Sequence, residues 1–291
     1  MATTGNDRTA WLLRPQQSLL WPLLGILGLS YFVYATNIDI AVASLFFRAP
    51  NNWPWQNTSL PQMIYQYGTL PAWLMCVGGL VVGIAAWPLH REAARCGLFL
   101  FLVVALGPGL IVNGVLKPNW HRPRPNQIVR FGGTKQYVPV LIRGQSDEDD
   151  TYKSFPCGHA SMGFALGAPA LLLARRHPRG AIAFLCLGLA AGMGLGMARI
   201  VQGRHFVSDV LWALVPVYLS GLFAYVVLGF HLKQDRDVHA AKDGRAQDHD
   251  GPNLLSLPLG RNYSSAPLPA GPGGVHPPVA PEPHTAAGGR R

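Results

Sequence analysis

Six apolar runs, each close to the length that a bilayer demands, constrain this chain more than any other feature. They cover residues 19–36, 70–89, 97–116, 160–174, 180–197 and 206–230. About 20 mostly apolar residues cross the hydrocarbon core as a helix. Inside lipid every backbone N–H and C=O must be satisfied within the segment, which selects helices over open sheets. The fourth run is short and Pro169 interrupts it, so it spans only if its ends reach into the interface. Charged residues make up only 13% of the 291-residue chain and hydrophobic ones 49%, whereas a soluble domain carries about a quarter charged residues. The expectation is an all-α integral membrane bundle of six transmembrane helices over residues 17–232. Residues 1–16 are expected to form a cytoplasmic N-terminal segment. Residues 233–291, rich in Gly, Pro, His and charge, are expected to form a disordered cytoplasmic tail with no catalytic part.

Short loops set the orientation of such a bundle. Arg91 and Arg95 separate the second and third runs, and Arg175, Arg176 and Arg179 separate the fourth and fifth. With Arg8, Arg14 and the tail, these fall on one side of a six-span count, which is then cytoplasmic. The first run lacks a small-residue cleavage site and is expected to stay as an anchor. Residues 37–68, with Ile38, Ile40, Val42, Leu45, Phe46, Trp53 and Trp55, read either as a lid packed on the bundle or as an interfacial wall for lipid entry. The four cysteines, Cys76, Cys96, Cys157 and Cys186, match no zinc spacing. Three of them sit in or beside apolar runs and read as small hydrophobes, and no disulfide framework is expected. The net charge of +10 fits anionic partners such as phospholipid surfaces and phosphate groups; nucleic acid is not among the expected partners, and oligomeric state is not legible.

Three polar clusters interrupt this pattern, all at the outward ends of runs. The first, Lys117-Pro-Asn-Trp-His-Arg-Pro-Arg124-Pro125, holds three prolines in nine residues. Those prolines predict that the helix stops and the chain turns in the headgroup zone, fixing Lys117 as a point charge and Arg124 as a planar fork for phosphate oxygens. The second, Pro156-Cys157-Gly158-His159, precedes the fourth run. A helix N-terminus beside a glycine exposes backbone N–H groups to an anion, and His159 there has the chemistry to protonate a leaving oxygen. The third holds Arg199, His205 and Asp209. His205 and Asp209, four apart, share a helix face, so a carboxylate can hold one ring nitrogen protonated and leave the other free to attack. Each piece alone is ordinary, since interfacial histidines and snorkelling cations are common. Their convergence on one face of the membrane is not, because such charge is costly to place there. The site is therefore expected at the outer membrane–water interface.

These residues resemble the three-part signature of the type-two phosphatidic acid phosphatase superfamily, membrane branch. Lys117, Arg124 and Pro125 meet the first part in full. Pro156, Gly158 and His159 meet the second, with Cys157 where the family has Ser. Arg199, His205 and Asp209 meet the third, with Ala198 in place of its leading Ser. The resemblance covers the membrane core and leaves the tail unaccounted for. It implies a metal-independent lipid phosphatase in which His205 attacks phosphorus, Asp209 orients it, and His159 protonates the leaving alkoxide and then activates water. It assigns phosphate binding to Lys117, Arg124, Cys157, Gly158 and Arg199. No metal and no cofactor are expected, because the cations take the place of Mg²⁺; the acidic run Asp147–Asp150 reads as a solvated loop patch. Two lost hydroxyls, at positions 157 and 198, are expected to reduce the rate without abolishing it, at roughly 1.5–3 kcal/mol for each hydrogen bond to a charged group.

The long outward segment 126–153 carries Arg130, Lys135 and Arg143. Arg122 and Arg204 are expected to help it seat a larger or multiply charged headgroup. The run from Trp120 through Gly133 is similar to bacterial lipid A phosphatases of this superfamily. The implied setting is a multi-pass protein of the bacterial inner membrane with its site facing the periplasm and a lipid phosphate in the bilayer as substrate. Lipid A-type substrates are favoured, beside phosphatidic acid, phosphatidylglycerol phosphate and undecaprenyl diphosphate. Competing readings are a lipid phosphotransferase using the same histidine, a vanadate-dependent haloperoxidase, which six apolar runs oppose, and a non-enzymatic membrane scaffold.

Overall fold

A computed structural model describes residues 15–49, 52–145 and 152–232, with side chains from Leu24 onward. The segment 1–14, the acidic run 147–150 and the tail 233–291 lie outside the described residues, and with them the expectations for the termini and that run.

Among the described residues every regular element is a helix, with no strand beyond isolated bridges. The helices are α1 (Pro15–Thr36), α2 (Ile38–Phe46), α3 (Ser59–Tyr67), α4 (Leu70–Ala85), α5 (Arg91–Val104), α6 (Lys117–Trp120), α7 (Gly158–Ala165), α8 (Pro169–Leu173), α9 (Pro178–Val201), α10 (Val207–Trp212) and α11 (Leu214–Val227). Four continuous helical lengths are long and apolar enough to cross a membrane: Ser59–Ala85, Arg91–Trp120, Pro178–Val201 and Val207–Val227. A fifth is the bent pair Leu24–Thr36 and Ile38–Phe46, which turn by 66° about Asn37, a residue in the left-handed region at φ 52°. Gly158–Leu173 is apolar but shorter, because α7 gives way to a tighter turn before Pro169 restarts the helix as α8.

Two sequence expectations change here. The second span begins at Ser59 instead of residue 70, so much of the supposed outer loop is helix. The prolines after Leu116 also do not stop the third helix. The chain widens into a π-type stretch over Ala105–Leu116, with Pro108 inside it and the Asn113 side chain donating to the Pro108 carbonyl at 2.7 Å. It returns to α geometry at Lys117, and Pro118 falls in the first turn of the new register, where a missing N–H costs little. The turn comes only at His121, at φ 49°. Lys117 therefore projects from a helix.

Small residues let the helices approach closely. A Cβ at Gly97 would lie 2.6 Å from the Gly79 carbonyl and the Gly83 nitrogen, and one at Gly192 would meet the Phe164 ring. Gly79 and Gly83, like Gly188 and Gly192, repeat at the four-residue spacing that suits helix contacts in lipid. The core between these helices holds Phe99, Val103, Ala160, Phe164, Val210, Ala213 and Val217. At one end of the bundle the Arg95 Nε donates to the Leu228 carbonyl at 2.7 Å, so the α4–α5 turn and the end of α11 meet there. The starts of α7 and α10 and the ends of α6 and α9 gather at the other.

Candidate active site

That other end brings the three clusters together through backbone bonds. The Cys157 N–H donates to the Asp209 carbonyl at 2.9 Å, the Ser154 N–H to the Arg122 carbonyl at 3.1 Å, and the Asn126 N–H to the Gly203 carbonyl at 3.1 Å. Stretches 32 to 77 residues apart in sequence are thus sewn into one floor. Gly158 opens α7 against α6, and any side chain there would collide: a Cβ would sit 2.8 Å from the Asn113 Oδ1 and 3.2 Å from the Lys117 Nζ. Lys117 Nζ itself donates to Asn113 at 3.3 Å. The glycine keeps the first turn of α7 open beside an ammonium, which is how a helix N-terminus receives an anion.

The remaining cations surround this point. Arg199, in the last turn of α9, donates to Gln202 at 2.6 Å and lies with its guanidinium 4.3 Å from the centre of the Tyr65 ring. The same tyrosine stacks on His159 with ring centroids 4.8 Å apart. Tyr65 of α3 therefore sets two of the expected site residues at once. Arg124 and Arg204 are half-buried neighbours. Burial first, and then the charge of Arg204, push the Arg124 guanidinium below its ordinary value. Such mutual repulsion is relieved by a polyanion.

His205 is 3% exposed and sits ahead of α10. Burial, reinforced by the charges of Lys117 and Arg199, lowers its imidazole to about 4 despite the opposing pull of Asp209. The ring is therefore neutral at pH 7, with a lone pair available. Its Nδ1 lies 3.6 Å from the Asp209 Oδ2. That is ion-pair distance but longer than a hydrogen bond, and Nδ1 is left without a closed partner. Asp209 is committed elsewhere: Oδ2 accepts from the Ser154 hydroxyl at 2.6 Å and the Phe206 N–H at 2.8 Å, and Oδ1 from Arg122 at 2.5 Å. The aspartate is fixed, and it faces Nδ1, leaving Nε2 as the reactive nitrogen.

Arg122 corrects an expectation. It is wholly buried, with Nε donating to the Val138 carbonyl at 2.9 Å, Nη1 to Ser208 and Asp209, and Nη2 to Asp39 at 2.8 Å. With its donors committed and no exposed surface, it has nothing to offer a headgroup. Arg204 keeps partial exposure. Cys157 is fully buried, and burial pushes its thiol up to about 11, so it rests as a neutral thiol. Arg130 and Lys135 line an open cavity of about 530 Å³ shared with Asn37, Ile40, Val129 and Tyr137. From the segment after α2, Phe47 and Trp53 pack with Phe131 as one aromatic cluster, and Trp53 lies against Gly203, whose φ of 66° and missing side chain admit the ring.

Four residues of the site were assigned no role from the sequence. Asp39 and Tyr65 lie outside the three clusters, and Ser154 and Ser208, which lie within or beside them, gain their roles only by packing. An aspartate inside an apolar run was the one available hint, because lipid-embedded acids are expensive.

The profile of the PAP2 superfamily matches residues 97–235. A lipid A 4'-phosphatase from Francisella tularensis subsp. novicida is 42% identical over 130 residues, which is 45% of this chain and 57% of that protein. A lipid A 1-phosphatase from Rhizobium etli is 30% identical over 196 residues, covering 62% of this chain and 77% of the relative. One from Rhizobium johnstonii is 34% identical over 196 residues, covering 62% and 73%. The chain thus spans little more than half the length of the Francisella protein and about three quarters of the two Rhizobium proteins.

Proposed function

This chain belongs to the PAP2 superfamily, and on that premise we propose that it is a membrane lipid phosphatase acting through a phosphohistidine on His205. The observation that carries the reading is the meeting of Lys117, Gly158, Arg199 and a neutral, buried His205 at one end of the bundle. Nε2 of His205 attacks phosphorus in line with the departing lipid oxygen. As the P–O bond breaks, His159, protonated once the bound phosphate offsets the burial and the charges of Arg199 and Lys117 that otherwise keep its imidazole neutral, gives its proton to the alkoxide. Water then attacks the phosphohistidine, loses a proton to His159, and inorganic phosphate leaves. Lys117, Arg124 and Arg199 hold the equatorial oxygens, where charge accumulates in phosphoryl transfer. Arg204 adds charge at the rim.

A lipid A-type substrate is favoured. The relatives are named for that lipid, and an open cavity edged by Arg130 and Lys135 offers room for a polar headgroup. Gly158–Leu173, joined end to end as α7 and α8, supplies the sixth crossing, and the site then faces the periplasm at the outer interface of a bacterial inner membrane. Purified protein is expected to release free phosphate from lipid A faster than from phosphatidic acid, phosphatidylglycerol phosphate or undecaprenyl diphosphate. His205→Ala is expected to be inserted and inert. Radiolabel that appears in a second lipid instead of free phosphate would replace the hydrolase with a transferase; normal turnover by His205→Ala would remove the nucleophile.

A further inference from the structure

Asp39 is the residue the proposed chemistry does not use. It sits in the first turn of α2, wholly buried, on a helix otherwise composed of Ile, Ala, Val, Ser, Leu and Phe. Its Oδ1 accepts the Ser208 N–H at 2.9 Å, and its Oδ2 accepts the Ser208 hydroxyl at 2.5 Å, Arg122 at 2.8 Å and the Tyr137 hydroxyl at 3.1 Å. Asp39 thus holds both the arginine that holds Asp209 and the backbone immediately before Asp209.

The charges explain why two carboxylates are needed. Arg122 lies against Asp209, and Asp209 lies against His205. With Arg122 alone beside it, Asp209 would be neutralised and would offer the imidazole little. A second carboxylate on the far side of the guanidinium leaves one net negative charge on three groups that are each 0% exposed. Low-dielectric surroundings let such a charge act across several ångströms. His205 gains positive character as it bonds to phosphorus, which is when that charge counts.

Resting on the hydrolase reading above, we propose that Asp39 is a positioning residue for the reaction, neutralising Arg122 so that the charge of Asp209 remains available to the attacking imidazole. The competing view is that Asp39 and Arg122 merely fasten the bent first helix to the bundle. The two views separate on sign. The charged groups acting on His205 are Asp209 from α10, Lys117 from α6 and Arg199 from α9, with Arg122 and Asp39 behind Asp209. Removing the charge at 39 makes the imidazole less basic and slows attack without touching lipid binding. Removing the charge at 122 as well restores the balance.

The experiment measures phosphate release from lipid A in mixed micelles by Asp39→Asn, by the double variant Asp39→Asn with Arg122→Gln, and by Tyr137→Phe as a neutral perturbation of the same network. Asp39→Asn is expected to lower kcat by ten- to a hundred-fold with KM within two-fold, and to move the acid-side midpoint of the pH profile to lower pH. The double variant is expected to recover kcat to within about five-fold of wild type and to return the midpoint. Tyr137→Phe is expected to leave the midpoint in place. An Asp39→Asn protein with wild-type kcat, or one whose midpoint stays put, overturns the inference. If that single variant does not fold, the double variant decides, since a kcat loss above a hundred-fold in the folded double variant also overturns it. A wild type that releases no phosphate from any lipid of the panel overturns the hydrolase reading itself.

Discussion

Arg122 and Arg124 stand two positions apart on one loop and have opposite fates. Arg122 is sealed between two aspartates with its guanidinium fully engaged. Arg124 is half-buried, keeps a buried Nε without a hydrogen-bond partner, and shares its surroundings with Arg204. Arg199 also keeps Nε uncommitted. The first arginine belongs to a closed network in which its own charge is answered by two carboxylates, and such a network holds geometry. The second belongs to an excess of cations with donors in hand, and such an excess binds anions. Residue type alone distinguishes neither role; what differs is whether a carboxylate reaches the guanidinium before a ligand does.

The largest expected effect breaks the closed side. Arg122→Ala leaves two buried carboxylates without their cation, which costs about 3–5 kcal/mol, so the apparent melting temperature in detergent is expected to fall by about 10 °C or more. A protein that melts within two degrees of wild type would show that the network is not closed as described. On the open side, Arg199→Ala and Arg124→Ala are each expected to lower kcat about 10²–10³-fold, while melting within about three degrees of wild type. A variant that melted early yet turned over normally would reverse the contrast.

A smaller effect concerns pH. The His205 imidazole is lowered from 6.5 to about 4 on folding. Between those values the unfolded chain takes up a proton that the folded chain refuses, so stability falls as the pH drops through that window. The fall in melting temperature from pH 7 to pH 5 is expected to shrink in His205→Gln; an unchanged fall would show that the buried imidazole titrates normally. The smallest effect is that of Cys157→Ser, expected to preserve kcat or raise it by up to about ten-fold through a restored hydroxyl donor. Complete loss of turnover there would mean that the thiol has a chemistry of its own.

Much of the site was legible because its chemistry needs particular side chains at particular spacings. Lys117, Arg124, His159, Arg199, His205 and Asp209 could be picked out because each stands beside an apolar run where charge is costly, and because a six-span count places their ends of those runs on one expected side. The helical class was legible for the same reason. Less was legible where a rule met a local exception. Prolines were expected to end the third helix, but a π-type stretch shifted the register so that Pro118 fell where its missing N–H does no harm. Arg122 was read with the headgroup cations because its partner Asp39 lies 83 residues away, and no spacing rule spans such a gap.

Taken by itself, the amino-acid order determined that this chain forms apolar helices and that the residues proposed to bind phosphate stand at helix ends, since burial and periodicity act along the chain. The three-dimensional packing alone decided which cations are closed off and which are left open, and that Asp39 and Tyr65 belong to the site. Those outcomes depend on distances between segments, set by how closely glycine-lined helices approach one another.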